Sequence, residues 1–143
     1  MRGYDVRAPI LYRAAAVLLV LFAVAHTLGF SQPPDPKWGA DGVVASMRSL
    51  HFDVQGSSRT FWDFFMAAGL SVGVLYLFAG ILAWQLGGLP AETRSRLRGV
   101  AWTLALSFAA LTVVSWLYLF ITAVVFSAVV ASCLASAAWL SAK

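Results

Sequence analysis

The stretch RTFWDFFMAAGLSVGVLYLFAGILAWQLGG, residues 59–88, decides the fold. From Phe64 to Leu86 it carries no charge, and an apolar run of that length crosses a bilayer as a helix. Arg59, Trp62 and Asp63 stand at its entrance. Gly69, Gly73 and Gly80 recur along it, where the missing side chain lets a neighbouring helix come close. Gly87-Gly88 and then Pro90 end the run.

The rest of the chain has the same character. Of its 143 residues, 61% are hydrophobic and only 11% charged, against about a quarter charged in a soluble domain. A mean hydropathy of +0.82 fits one polytopic membrane domain. The net charge of +4 does not point to nucleic acid, because the basic residues form no stripe with interleaved aromatics. They gather at helix ends, where they act as topology signals. The single Cys133 excludes an intrachain disulfide and a CxxC pair, and its apolar surroundings suit inert packing.

Upstream, Arg2, Arg7 and Arg13 precede an apolar helix expected over about residues 14–30, which carries His26 and stops before Pro33, Pro34 and Pro36. Ala23-Val24-Ala25 has the form of a signal-peptidase site after a basic segment; we expect the segment to be retained as the first span. Residues 31–60 form the one long connection. Asp41-Gly42 opens an expected short amphipathic helix that lays Val44, Met47 and Leu50 against spans one and two. Gly56-Ser57-Ser58 reads as a turn. The second span is expected over about 61–86, followed by a basic loop with Arg94, Arg96 and Arg98.

From Gly99 to Ala142 there is no charge and no proline. One helix over that stretch would measure about 65 Å, roughly twice the hydrocarbon thickness. It therefore divides into spans of about 100–118 and 122–141, with Trp116, Tyr118 and Phe120 as an interfacial belt at the turn. The expected fold is all-α: a four-transmembrane-helix bundle, up-down-up-down, with a short amphipathic helix in the long first loop. A cytoplasmic N-terminus puts Arg2, Arg7, Arg13, Arg94, Arg96, Arg98 and Lys143 inside and Lys37, Arg48 and Arg59 outside. Seven against three obeys the positive-inside rule and makes both termini cytoplasmic in the cell membrane. Ala123, Ser127, Ala131 and Ala135 repeat at every fourth position of the last span, for packing within the bundle or for a homodimer face.

Three segments carry a resemblance. Ala25-His26-Thr27-Leu28-Gly29, then Arg59-Thr60-Phe61-Trp62-Asp63-Phe64, then Trp84-Gln85-Leu86-Gly87 resemble a family of small bacterial four-helix membrane proteins of uncharacterised function. The likeness covers about the first 90 residues. It implies the four-span architecture and adds no activity.

The candidate chemistry lies at the outer ends of the spans. His26 is about one turn inside the end of span one, and Asp63 is in the first turn of span two. Arg59 has the i,i+4 spacing of an ion pair with Asp63. Ser115, Trp116, Tyr118 and Thr122 are expected at the same depth. Ionisable groups within spans are costly and are functional candidates by default. As catalytic candidates we take His26, Asp63 and Arg59, with Arg59 keeping Asp63 ionised and His26 the partner acid. As ligand-binding candidates we take Trp62, Trp116, Tyr118 and His51. The structural alternatives are a Thr60–Asp63 capping box, an interfacial anchor at Arg59 and interhelical hydrogen bonding by His26. His51-x-Asp53 offers two ligands where zinc needs three or four, and haem would need His51 from a loop, so no metal or cofactor is expected.

No P-loop, dinucleotide fingerprint or Ser-His-Asp motif occurs. Two functions compete. One is an outer-leaflet pocket for a lipophilic small molecule or membrane lipid, with proton-transfer catalysis of the isomerase, cyclase or epoxide-opening type. The other is a non-catalytic structural or accessory subunit of a membrane complex. A channel or transporter ranks last, since the inner halves of the spans offer no polar path. The pocket needs a cavity lined by His26 and Asp63; the subunit needs none and would have these side chains satisfied by one another.

Overall fold

A computed structural model describes residues 6–141. Helix α1 spans Arg7–Phe30, α2 Asp41–Ser49, α3 Phe61–Gly88, α4 Ala91–Arg96, α5 Arg98–Tyr118 and α6 Ile121–Leu140. Strands β1 (His51–Val54) and β2 (Ser57–Thr60) lie between α2 and α3. Four helices, α1, α3, α5 and α6, are long and apolar enough to cross a membrane, with 24, 28, 21 and 20 residues. Even the shortest reaches about 30 Å, the thickness of the hydrocarbon layer.

The chain divides into two compact units, one of residues up to Leu21 together with those from Leu77, the other Phe22–Tyr76. In the first, small side chains set the spacing. Gly87 lies against Tyr12 and Pro9, and Gly80 against Ala16, Leu19 and Val20, so these parts of α1 and α3 run antiparallel. A methyl group at Gly87 would stand 3.1 Å from the Tyr12 Cβ and 3.2 Å from the Pro9 carbonyl oxygen. Helices α5 and α6 pack along their length after a two-residue connection, Leu119–Phe120, both residues extended. Their buried residues include Ala101, Leu104, Ala105 and Phe108 on α5 and Val130, Leu134, Ala137 and Ala138 on α6. Ala131 and Ala135 of the small-residue row line a hollow with Trp102, Ala105 and Ala109 of α5. In lipid, such faces gain from close van der Waals contact.

Several serine and threonine hydroxyls of α5 and α6 are satisfied locally. Thr103, Ser107, Thr112, Ser127 and Ser132 each donate to the carbonyl four residues earlier. A helix in hydrocarbon has no water to serve these groups, so the backbone serves them.

The structure departs from the sequence reading in four places. First, α1 begins at Arg7, one and a half to two turns before the expected start near residue 14. Pro9 sits in its first turn, where the missing N–H costs nothing. Second, residues 51–60 are a two-stranded hairpin, His51 opposite Thr60 and Val54 opposite Ser57. The turn is Gln55-Gly56, with φ of 51° and 78°, while Ser57 and Ser58 belong to β2. Two positive φ values match the twist of a tight hairpin, and glycine takes one of them without strain. Third, α2 does not bury its expected side. Val44 and Met47 are half-buried and Leu50 is 57% exposed, because Leu50 is the extended residue that leads into β1. Fourth, Arg94 is buried, at 3% exposure, rather than displayed in a basic loop. Its Nη1 donates to the Leu89 carbonyl at 2.8 Å, which ties α4 back to the end of α3.

Candidate functional site

Five of the seven candidate residues lie in the Phe22–Tyr76 unit. Asp63 is exposed and forms a reciprocal cap at the start of α3. Its Oδ2 accepts from the Thr60 N–H at 2.8 Å and from the Thr60 hydroxyl at 3.0 Å. The Asp63 N–H donates back to the Thr60 Oγ1 at 3.2 Å. This satisfies donors that a helix start leaves orphaned, with aspartate in the position usual for glutamate. A carboxylate in the first turn also complements the helix dipole.

Arg59 does not pair with Asp63. It belongs to β2, opposite Phe52, so the helical i,i+4 spacing does not apply to it. Its Nη1 donates to the Ser58 carbonyl at 3.2 Å. Arg59 and His51 lie near Asp63 at the start of α3. His51 is exposed at the start of β1, its Nδ1 2.9 Å from the Ser49 carbonyl. Trp62 is half-buried, with the Arg48 guanidinium 4.5 Å from its ring centre and Phe65 5.6 Å away. The Arg48 stack joins α2 to the first turn of α3.

His26 turns to another partner. Its Nε2 lies 3.0 Å from the Gly69 carbonyl oxygen on α3. A carbonyl only accepts, so Nε2 carries the proton in this contact. Gly69 makes the approach feasible, since a side chain there would collide with the Phe30 ring. That ring stacks on His26 at 5.6 Å, and Phe22 stacks on the imidazole at 5.5 Å. Phe22 also meets Tyr76 at 4.5 Å, and Phe30 meets Phe65 at 4.8 Å. Gly73 does for Thr27 what Gly69 does for Phe30. Among the described residues, no hydrogen bond or ion pair joins His26, Arg59 and Asp63 to one another.

Trp116 and Tyr118 belong to the other unit, at the end of α5, and are 70% and 78% exposed. That unit holds a polar group the sequence reading missed. Tyr12 is fully buried beside Ser141 and Arg94, and no hydrogen bond of sound geometry reaches its hydroxyl. The signal available in the sequence was weak: a tyrosine among arginines at a helix start reads as interfacial. A wholly apolar groove of about 360 Å³ lies in the same unit between Ala16–Leu21 and Gly80–Trp84. Among the described residues, no cluster of three or more His, Cys, Asp or Glu could hold a metal ion.

Comparison with protein-family models, with curated proteins and with solved structures gave no match to this chain.

Proposed function

We propose that the chain is an integral protein of the cell membrane, an up-down-up-down bundle of four spans with cytoplasmic termini, and a non-catalytic structural or accessory subunit of a membrane complex. One observation carries the non-catalytic role: His26 is committed to the Gly69 carbonyl and Asp63 to the Thr60 cap. A general acid or base needs a proton position open to substrate. Here the His26 Nε2 and the Asp63 Oδ2 are engaged in holding the backbone. The excess of basic residues on one side supports the orientation, and the likeness to small bacterial four-helix membrane proteins belongs to this proposal too. Labelling a cysteine placed at Ser95 from outside intact cells would overturn the orientation.

The second reading, a lipophilic-ligand pocket working by proton transfer, draws support from the openness of Asp63 with Arg59 and His51 beside it. Thermal melts of His26→Ala and Asp63→Asn in detergent, alongside mass spectrometry of co-purified lipids and metabolites, separate the two. The structural role predicts a lower Tm for His26→Ala, by an amount reflecting an interhelical bond of about 0.6–2 kcal/mol. Asp63→Asn should shift Tm less, and the bound small molecules should not change. An unchanged Tm with loss of a specific bound molecule would instead establish the pocket.

A further inference from the structure

The apolar groove on the first unit has a charged end. On α1, Arg13, Ala16, Val17, Val20 and Leu21 share one face, at the spacing of successive turns. On α3, Gly80 floors the groove and Ile81 and Trp84 form its other wall. The rim is open: Val17 is 48%, Leu21 62%, Ile81 49% and Trp84 52% exposed. At one end the Arg13 guanidinium rests 5.3 Å from the centre of the Trp84 ring. From Arg13 to Leu21 the slot runs about 12 Å along the helix. Its volume lies in the range of small-molecule sites.

We propose that this groove binds an anionic phospholipid, with one acyl chain along Val17, Val20 and Ile81 and the phosphate at Arg13. The inference rests on the membrane-spanning reading and is independent of the roles given to His26 and Asp63. Three features select this occupant. The walls expose no polar atom to the groove, so they match hydrocarbon. The contact of Arg13 with Trp84 is made over the ring and uses up none of its N–H donors in an ion pair, so they remain for a phosphate. Arg13 makes no ion pair among the described residues, and the only carboxylate in the neighbouring α3–α5 connection, Glu92, is taken by Arg96 at 2.6 Å. With Arg7 and Arg98 in the same unit, the charge balance there favours an anion. A basic residue at the lipid headgroup level beside an interhelical slot is the arrangement that recognises acidic lipids.

The test is native mass spectrometry of the full chain, delipidated in detergent and titrated with phosphatidylglycerol or phosphatidylcholine of identical acyl chains. Phosphatidylglycerol should bind about fivefold more tightly, the effect of one basic residue near the membrane surface. Arg13→Gln should reduce it to the phosphatidylcholine level, and Arg13→Lys should keep most of the preference. Val17→Trp, which fills the groove from its open rim, should weaken both lipids. Leu106→Trp, at an exposed apolar position on α5 outside the groove, should weaken neither. Equal binding of the two lipids by the unaltered chain would overturn the proposal. So would a preference that survives in Arg13→Gln, or equal losses in Val17→Trp and Leu106→Trp. Thermal melts of each variant identify any that fail to fold, and the Arg13→Lys arm then decides the role of the charge.

Discussion

The two units of this chain are held together by different means. The unit built from the start of α1, the end of α3 and the α4–α6 segment buries aliphatic residues on all four long helices, from Leu19 and Leu86 to Leu104 and Leu134. In residues 22–76 the fully buried positions are Ala23, Gly69 and Gly73. There, aromatic rings stack around His26, and one polar bond to a glycine carbonyl joins α1 to α3. Two helix segments have too little surface to enclose a core, so the second unit depends on large flat rings and on directional bonds. Four helices can enclose one, and small residues there turn proximity into contact.

That contrast can be broken by mutation. Leu134→Ala removes a fully buried side chain from α6 and leaves a cavity, for an expected loss of about 2–5 kcal/mol in reversible unfolding. Phe65→Ala, at a 46% exposed ring in the second unit, should cost clearly less in the same assay. If the two losses were equal, the units would not differ in packing.

Glycine replacements sharpen the point. At Gly87 a new side chain meets the Pro9 backbone oxygen and the Tyr12 Cβ, neither of which can rotate away. Gly87→Val should therefore cost about 1–3 kcal/mol. At Gly69 the obstacle is the far edge of the Phe30 ring, which can swing. Gly69→Ala should lower the Tm less than Gly87→Val. The smallest effect is expected at Tyr12, whose hydroxyl is buried without a sound partner. Tyr12→Phe should be neutral or stabilising by up to about 1 kcal/mol, since it removes an unmet desolvation cost. A clear loss on Tyr12→Phe would mean that Ser141 or Arg94 bonds to the hydroxyl after all.

The sequence made the four long helices legible because absence of charge over more than 18 residues is a strong signal. The turn expected near residues 118–122 falls at Leu119–Phe120, where the length of an uninterrupted span left little choice. The Thr60-x-x-Asp63 spacing announced the cap, which needs only local geometry. The hairpin was harder to read. His51-Phe52-Asp53-Val54 does alternate polar with apolar, but Gln55-Gly56 is a weak turn signature beside the Gly-Ser-Ser that follows it. Reading those residues as loop placed Arg59 on a helical spacing it does not have. Arg94 was misread for another reason. A cation between spans marks topology by default, and only the fold reveals that its guanidinium caps the Leu89 carbonyl. The position of His26 one turn before the end of α1 was readable, but its partner was not, because a backbone carbonyl carries no sequence signature.

His26 ties α1 to α3 through the Gly69 carbonyl. Backbone hydrogen exchange of His26→Phe in detergent tests this tie most directly. Phenylalanine keeps a ring between Phe22 and Phe30 and deletes only the bond to Gly69. Faster exchange across residues 22–30 and 61–76, with residues 101–138 unchanged, is the predicted result. Exchange in 22–30 and 61–76 as slow as in the unaltered chain would contradict the claim and return His26 to the list of groups free for chemistry.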